Sequence, residues 1–247
     1  MKGIVVVTGG SRGIGAATAR KVAAAGHGVC LSYREDAASA ASVVADCVGS
    51  GVPARALRAD VTSERDVAGL FDMAALLGPV TGLVNNAGIV APRGRVADLT
   101  ADRVRRLLET NVLGAFLCAR EAVRRMSTRL GGRGGTVVNV SSRAAVLGSA
   151  NEYVDYAATK AAVDTLTVGL AAEVAGEGIR VVGVRPGLIR TGIHAGAGQP
   201  DRLDRLGPTV PLGRPGEADE VADAILWLMS DQASYVTGTT LDVSGGR

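Results

Sequence analysis

The sequence predicts an α/β fold in which helices cover both faces of a parallel sheet. Hydrophobic residues make up 47% of the 247 residues but aromatic residues only 3%, so the core is built from Ala, Val, Leu and Ile. Short apolar runs alternate with longer Ala-rich segments. Strands buried on both faces are apolar throughout, and alternating strands and helices are typical of parallel sheets. The length suits one large domain, which we expect to span residues 1–247.

The order of these segments predicts a doubly wound sheet of seven strands with right-handed crossovers. The predicted strands are Gly3 to Val7, Gly28 to Ser32, Ala54 to Arg58, Gly82 to Val84, Gly135 to Val140, Ile179 to Val184 and Thr239 to Val243. The predicted helices lie at about 13 to 29, 36 to 50, 64 to 77, 101 to 130, 154 to 178 and 217 to 230. The stretch from Leu188 to Pro215 is irregular and rich in Gly and Pro, so we interpret about 188–215 as a substrate lid.

Composition argues against several classes of partner. The net charge is +3, but the arginines are spread among 24 acidic residues without a basic block, so we expect no nucleic-acid partner. The three cysteines form no CxxC motif and no metal-ligand array with the two histidines, which predicts core thiols, a reducing compartment and no metal. No apolar run approaches the roughly 18 residues of a membrane span. We therefore expect a cytoplasmic protein without a membrane partner.

Tyr156 and Lys160 are the first candidate functional residues. They are four residues apart in a predicted helix, so they share a face, and a nearby ammonium favours the ionised phenol. The chain has 24 arginines but only three lysines, which suggests that a lysine at this position has a task that arginine cannot perform. The alternative interpretation of this pair alone is a half-buried tyrosine beside a solvated lysine.

A glycine-rich turn between the first strand and the first helix predicts a phosphate-binding site. Such a turn brings the backbone and the amides of the helix close to a pyrophosphate. The spacing Gly-x3-Gly-x-Gly is not that of a nucleotide-hydrolysing P-loop, and no Gly-Lys-Ser/Thr is present. The candidate cofactor-binding residues here are Gly9, Ser11, Arg12, Gly13, Ile14 and Gly15. The alternative is a purely structural bend.

Two further groups of residues follow predicted strands. They are Asp60 and Val61 after the third strand, and Asn86, Ala87 and Gly88 after the fourth. Ligands of open α/β sheets bind at the carboxyl ends of strands, so we assign these residues to the cofactor, with Asp60 as an acceptor for an adenine amino group. The alternative is ordinary turn chemistry, for which these residue types are also typical.

Taken together, the motifs resemble those of the short-chain dehydrogenase/reductase family from Lys2 to the last residue. The matching motifs are Thr8-Gly9-x3-Gly13-x-Gly15, Asn85-Asn86-Ala87-Gly88, Asn111, Ser141-Ser142, Tyr156-x3-Lys160 and Arg185-Pro186-Gly187. The resemblance implies a Rossmann-type fold and hydride transfer between a nicotinamide dinucleotide and a small-molecule carbonyl or alcohol. It also implies cofactor contacts from Tyr156, Lys160, Pro186, Gly187, Ile189 and Thr191.

The same resemblance implies four catalytic residues. Tyr156 would be the acid/base, Lys160 would lower its pKa and hold the nicotinamide ribose, Ser142 would bind the substrate oxygen, and Asn111 would support a proton relay. Tyr153 has Ala157 four residues later, so the lysine pairing selects Tyr156. The stretch from Ser142 to Tyr156 is one residue longer than the commonest spacing. Successive strand residues face opposite sides, so only one of the two adjacent serines addresses the site, and we choose Ser142.

The second strand ends without the acidic residue of NAD-selective sites, which predicts a preference for NADP(H), with NAD(H) possible. Arg12 and Arg34 are candidates to bind a 2′-phosphate. The alternative is two solvated arginines, with Glu35 and Asp36 neutralising Arg34.

The nature of the substrate is left open between 3-oxoacyl thioesters and sugars or other alcohols. Arg93, Arg95 and Arg133 would give an acyl-carrier partner a basic rim, whereas Glu173 and Glu177 oppose it. The lid contains His194, Gln199, Asp201 and Arg202 but no aromatic residue to stack on a flat ring.

The alternative to an enzyme is a non-catalytic dinucleotide sensor, which would not need the proton-transfer residues. A sugar-nucleotide epimerase would need a larger C-terminal domain. The resemblance also predicts a homotetramer, in which the helices at 101 to 130 and 154 to 178 and the last strand pack against other subunits.

Overall fold

The computed structural model describes residues 2–193 and 198–247 and contains a seven-stranded parallel sheet. Its strands are β1 (Ile4–Val7), β2 (Gly28–Tyr33), β3 (Ala54–Arg58), β4 (Val80–Asn85), β5 (Gly135–Val140), β6 (Ile179–Pro186) and β9 (Thr240–Val243). They lie in the order β3-β2-β1-β4-β5-β6-β9, which places β9 at an edge as expected. The predicted sheet is confirmed, and the predicted strands differ from the observed ones only at their ends.

Helices cover both faces of this sheet. They are α1 (Gly13–Ala24), α2 (Ala37–Gly49), α3 (Glu64–Leu77), α4 (Ala101–Leu108), α5 (Gly114–Met126), α6 (Ala144–Leu147), α7 (Val154–Val174), α8 (Arg202–Leu206) and α9 (Ala218–Met229). The predicted helix from 13 to 29 ends earlier because Gly26 has a φ of +89° and the chain then enters β2. The helix predicted to end at 178 stops at Val174, and a short 3₁₀ turn, Ala175–Glu177, follows it.

The prediction of one continuous helix from 101 to 130 is wrong. A five-residue π turn, Glu109–Leu113, separates α4 from α5, and Asn111 lies within it. A Cβ at Gly114, directly after the turn, would lie 2.7 Å from the side chain of Val61, so only glycine lets α5 begin at this depth. Such π turns inside helices occur frequently at functional sites.

Two hydrophobic clusters form the core, one on each face of the sheet. In β1, Val5 and Val7 contact the cluster that includes α1, α2 and α9, whereas Ile4 and Val6 contact the cluster that includes α3, α5 and α7. All four β1 residues are fully buried. Burial on both faces explains why the strands are apolar throughout. The three cysteines are buried and free, as expected of core thiols.

The described parts of the segment from 188 to 215 contain regular elements that the sequence did not indicate. β7 (Ile189–Arg190) pairs in parallel with β8 (Gly216–Glu217), and α8 and a 3₁₀ turn, Gly207–Thr209, lie between them. Two-residue strands and one-turn helices are too short to produce a periodic hydrophobic pattern, which is why the segment resembles a loop in sequence. His194, which we placed in the lid, lies outside the described residues.

Within the described ranges, no helix combines the length and apolar character that a membrane span requires.

Candidate active site

A cavity of about 780 Å³ opens along the carboxyl ends of the strands. At one end it is lined by the turn after β1 and the residues that follow β2 and β3, and at the other by the start of α7 and the segment after β6. Every residue that the sequence assigned to cofactor binding or catalysis lines this cavity, except Gly15 and Asn111. The cavity lies across the carboxyl end of β1, which has β2 on one side and β4 on the other. The strand order reverses at this point, which is where such sheets bind ligands.

The glycine turn between β1 and α1 has the shape that a dinucleotide requires. Gly9 and Gly13 have φ angles of +63° and +54°, which glycine adopts without strain. A Cβ at Gly15 would lie 2.4 Å from the Gly9 carbonyl and 2.6 Å from Asn86 Nδ2, so Gly15 sets the packing behind the turn rather than lining the cavity. No side chain within the described residues caps α1 at Arg12, which leaves its first amides to bind an anion such as a pyrophosphate. These residues fit a dinucleotide.

The carboxyl ends of β1 and β4 are joined by a compact set of hydrogen bonds. Thr8 Oγ1 accepts from the amides of Asn86 and Ala87, each at 2.9 Å. Asn86 Nδ2 donates in return to the carbonyls of Thr8 (2.8 Å) and Gly9 (3.1 Å). The Asn86 side chain therefore fixes the glycine turn against β4.

Asp60 lines the cavity, and its carboxylate also has partners within the protein. Its Oδ1 accepts from the Thr62 amide and hydroxyl, at 3.0 and 2.8 Å, and its Oδ2 lies 3.6 Å from Arg34 Nε. Burial raises the pKa of Asp60, but the hydrogen bonds from Thr62 and the charge of Arg34 outweigh it, so the pKa is lowered. The carboxylate thus has partners within the protein at the position that we assigned to an adenine amino group.

The residue that neutralises Arg34 is thus Asp60 rather than Asp36. The Asp36 carboxylate caps α2 by accepting from the amide and hydroxyl of Ser39, at 2.9 and 2.6 Å. Those hydrogen bonds lower the pKa of Asp36. Arg12 and Arg34 are both exposed at this end of the cavity.

Tyr156 and Lys160 both line the opposite end of the cavity. Lys160 is 5% exposed, and its Nζ lies 5.8 Å from the centroid of the Tyr156 ring and donates to the Val140 carbonyl at 2.8 Å. Burial raises the pKa of Tyr156 to about 12, and a side-chain hydrogen bond from Ser142 opposes that rise. Burial also lowers the pKa of Lys160 to about 8, although Asp164 opposes this effect.

The expected lowering of the Tyr156 pKa by Lys160 is therefore absent from this structure. The ammonium is directed to a carbonyl oxygen, and desolvation dominates both groups.

The two adjacent serines directly follow β5 and have different partners. Ser141 Oγ donates to the Lys160 carbonyl at 3.0 Å and is buried. Ser142 Oγ accepts from the Ala144 amide at 3.1 Å, and its hydroxyl bonds Tyr156. The structure therefore places Ser142, and not Ser141, beside the phenol. The longer stretch between Ser142 and Tyr156 forms α6 and a turn in which Ser149 and Asn151 have positive φ angles.

Asn111 lies behind the cavity wall. It is 1% exposed, its Oδ1 accepts from the Ile89 amide (2.8 Å), and its Nδ2 donates to the Ile89 carbonyl (2.9 Å) and to Thr159 Oγ1 (3.0 Å). A Cβ at Gly88 would lie 3.2 Å from Asn111 Oδ1 and 3.3 Å from Lys160 Nζ. A side chain larger than that of glycine at position 88 would therefore crowd both the asparagine and the lysine.

Tyr153, the other phenol near the site, is bound to the segment after β7. Its hydroxyl accepts a hydrogen bond from Gln199, and the Arg202 guanidinium lies 5.1 Å from its ring centroid. Arg202 Nη1 also lies 2.8 Å from Glu152 Oε2. Burial raises the pKa of Tyr153. Tyr153, in the turn before α7, is thus an aromatic residue that contacts the segment after β7.

Sequence reasoning missed several lining residues, among them Arg143 and Arg247. Arg143 Nε donates to the Arg247 carbonyl and its Nη1 to Asp242 Oδ2, each at 2.6 Å. These partners are about 100 residues away in sequence, so no local pattern could have shown them.

The predicted basic rim is wrong in part. Arg133 lies just before β5, and the pocket that it lines includes Gly78 and Pro79 just before β4, so it is at the sheet edge opposite the cavity. Glu177, which we weighed against it, is also remote, because it follows α7 and binds Ser127 and Arg129. Their charges do not bear on the site.

The sequence model of a protein family described as enoyl-(acyl carrier protein) reductase matches residues 9–247. Among characterised and uncharacterised relatives, the oxidoreductase YgfF of Escherichia coli is 51% identical over 99% of both chains. A 3beta-hydroxysteroid dehydrogenase of Eggerthella lenta is 40% identical over 98% of this chain and 92% of its own length. A cis-4-hydroxycyclohexanecarboxylate dehydrogenase of Sinomonas cyclohexanicum is 41% identical over 98% and 95%.

Solved structures of reductases and related proteins are also similar to this chain. A blue fluorescent protein from a metagenomic library, in complex with NADPH, has a TM-score of 0.89 and 33% identity over 99% of this chain and 97% of its own. A 3-ketoacyl-(acyl-carrier-protein) reductase from Brucella melitensis, complexed with NADH, has a TM-score of 0.91 and 31% identity over 100% and 98%. Neighbours of this fold thus hold either dinucleotide.

We predict that Gly15→Ala strongly weakens dinucleotide binding, because the new methyl group would push the glycine turn away from Asn86. Calorimetric titration with NADPH and NADH measures the effect. Gly49→Ala is the matched control, since a Cβ at Gly49 meets nothing within 4 Å. Equal affinities for the two variants would contradict the proposed packing role of Gly15.

Proposed function

The chain belongs to the short-chain dehydrogenase/reductase family of oxidoreductases, which act on alcohol and carbonyl groups, and we propose that it uses NADP(H) with Tyr156 as its acid/base. The observation that carries this proposal is the convergence of Tyr156, Ser142 and Lys160 at one end of the cavity. A nicotinamide dinucleotide, when bound, supplies the hydride donor or acceptor. The opposite end of the cavity, with its glycine turn, fits the remainder of that molecule.

In reduction, Tyr156 gives its phenolic proton to the substrate oxygen as the carbonyl becomes an alcohol, and in oxidation it takes that proton back. Ser142 bonds Tyr156 and would donate to the same substrate oxygen, where negative charge develops. The Lys160 amino group provides a positive charge or an N–H donor next to the phenol. Asn111, behind the cavity wall, binds the backbone of Ile89.

The pKa shifts favour reduction near neutral pH. A phenol whose pKa is raised to about 12 is protonated across the neutral range, so the proton donor for reduction is present. Oxidation needs the phenolate, and its rate rises with pH as the phenol ionises. Lys160, with a pKa of about 8, loses its positive charge within the same alkaline range.

Tyr156→Phe should lower kcat by ~10²- to 10⁴-fold, since only the transferable proton is lost. Steady-state rates with a ring ketone and NADPH measure the loss, and calorimetry should show nearly unchanged dinucleotide affinity. Tyr153→Phe is the matched control, because it removes a phenol that bonds Gln199. Its effect should be confined mainly to KM. Activity of Tyr156→Phe close to wild type would remove Tyr156 from the mechanism.

The preference for NADP(H) rests on the charges at the adenosine end. β2 ends in Tyr33 and is followed by Arg34, so no acidic residue stands at the end of the strand, and Asp36 is occupied in capping α2. Arg12 and Arg34 are exposed at the cavity and would bind a 2′-phosphate with charge-assisted hydrogen bonds. Such binding requires Arg34 to exchange Asp60 for the phosphate, which the long 3.6 Å contact permits.

We expect NADPH to give a higher kcat/KM than NADH, and Arg34→Ala to reduce kcat/KM for NADPH by roughly tenfold or more while sparing NADH. Arg12→Ala should act in the same direction. Arg58→Ala is the control, since Arg58 is exposed nearby and bonds only the Arg34 carbonyl among the described residues. A wild-type preference for NADH would refute the proposal.

We propose a secondary alcohol or ketone on a ring as the substrate class. Relatives that are 40% and 41% identical are named for a hydroxysteroid and a hydroxycyclohexanecarboxylate. The cavity beside Ser142 and Tyr156 has apolar walls from Leu147, Leu188 and Ile193, which suit a ring. The segment at 188–215, attached to Tyr153 through Gln199, is the lid of this pocket in the proposal.

We also propose a homotetramer, because large apolar side chains are exposed on α5, α7 and β9. They include Phe116, Val168 and Leu241. The edge strand β9 also has hydrogen-bonding groups that a second subunit would cover.

Multi-angle light scattering at micromolar concentration should give the mass of four chains, and Phe116→Asp should lower it. Leu76→Asp is the control, because Leu76 is an exposed large hydrophobic residue of α3 and lies outside the proposed contact. A wild-type monomer would contradict the proposal.

A further inference from the structure

The start of α7 is held in an unusual way. The residue before its first turn, Tyr153, provides no side-chain cap, although the first amides of a helix need acceptors from outside the helix. Asp155, the second residue of α7, takes this role, and its Oδ1 accepts from the Tyr156 amide at 2.9 Å. The backbone N–H of the proposed acid/base is therefore bound by the carboxylate of its neighbour.

That carboxylate is itself fixed by Arg103 of α4. Arg103 Nε lies 2.6 Å from Asp155 Oδ2, and Arg103 Nη2 lies 3.3 Å from Oδ1, so the contact is bidentate. The side chains are only 4% exposed for Asp155 and 17% for Arg103. A Cβ at Gly94 would lie 3.3 Å from Arg103 Nη1, so the glycine leaves room for the guanidinium. A planar fork of this kind fixes direction as well as distance.

The carbonyl of Tyr156 is bound from the same part of the chain. Thr159 Oγ1 donates to the Tyr156 carbonyl at 2.7 Å and accepts from Asn111 Nδ2 at 3.0 Å. Asn111 belongs to the π turn that directly follows α4. Both backbone polar atoms of Tyr156 are therefore connected, each through one side chain, to the segment from 103 to 111.

We propose that Arg103 and Asp155 form a positioning pair for proton transfer by Tyr156. This proposal rests on the proposed function of Tyr156. Neither side chain lines the cavity, so neither touches the substrate. They hold the first turn of α7 so that the phenol stays within reach of Ser142 and of the substrate oxygen. Proton transfer needs this accuracy, since a displacement of about 1 Å can cost 10²-fold in rate.

Arg103→Gln is expected to lower kcat by about 10- to 10²-fold while KM and the Kd for NADPH stay nearly unchanged. Because this variant leaves a buried carboxylate unpaired and can unfold, Arg103→Gln/Asp155→Asn is made as well, which removes both charges. It should fold and show the same selective loss of kcat. Arg103→Lys keeps the charge without the fork and should recover part of the rate. Arg105→Gln is the matched control, because Arg105 forms an exposed pair with Asp102 on the same helix.

The same substitutions in the Tyr156→Phe background separate positioning from general stability. With the phenol absent, Arg103→Gln/Asp155→Asn should cause no further loss of the residual rate, because its effect acts through the phenol. An equal loss in both backgrounds, a parallel loss of NADPH affinity, or an unchanged kcat in the double variant overturns the pair while the role of Tyr156 stands. Full activity of Tyr156→Phe overturns the proposed function and, with it, this inference.

Discussion

The hydrogen bonds between the carboxyl ends of β1 and β4 hold the two walls of the cavity at a fixed separation. Thr8 and Asn86 are 78 residues apart in sequence, yet each binds the backbone of the other. The glycine turn lies on one side of this junction and Gly88 on the other. Gly88 lies so close to Asn111 and Lys160 that a side chain there would crowd both of them. A displacement at the junction would therefore reach both ends of the site. The position of the site therefore depends on a few polar contacts between two buried strands.

Charge burial is the second constraint on the site. Lys160 exchanges water for one carbonyl oxygen, and the resulting desolvation is the main cause of its lowered pKa. Asp164 opposes that effect, and it is held by Arg185 Nε at 2.8 Å. Arg185 also contacts Asp242, and Asp242 contacts Arg143 at the cavity. A chain of alternating charges thus runs from the back of α7 to the cavity wall.

Such a chain makes the site sensitive to substitutions that lie outside it. Removing Arg185 would take from Asp164 its partner in this chain, and removing Asp242 would do the same to Arg143, leaving a partly buried charge less well paired. The same argument applies to Arg103 and Asp155. Folding and the geometry of the site are therefore linked through the same ion pairs.

Much of the fold was predictable because its signals are local. The Val-rich strands and the glycine turn each occupy fewer than ten consecutive residues, and the lysine four residues after Tyr156 was conspicuous in a chain rich in arginine. Strand alternation led us to choose Ser142 over Ser141, and the two hydroxyls have different partners in the structure. These inferences need only the periodicity of one element.

The remaining features depend on contacts between distant segments. Arg103 and Asp155 are 52 residues apart, and nothing in the sequence around either indicates the other. The π turn was missed because its hydrophobic pattern passes for that of a continuous helix. Arg133 precedes β5, so it lies at the amino ends of the strands, whereas the cavity lies at their carboxyl ends. The pKa of Tyr156 could not be inferred from spacing, since burial outweighs the lysine.

The π turn at Glu109–Leu113 also determines how the two helices beside it are rotated relative to each other. Each residue added to an α-helix turns the rest of it by about 100°. The wider turn therefore sets the angular phase at which α5 leaves, with Leu117 and Cys118 directed into the core. α4 meanwhile keeps Arg103 directed at α7. An insertion or deletion between Arg103 and Leu117 would rotate one helix relative to the other. It would therefore disturb either the contact of Arg103 with α7 or the packing of Leu117 in the core, unlike the insertions and deletions that surface loops accept.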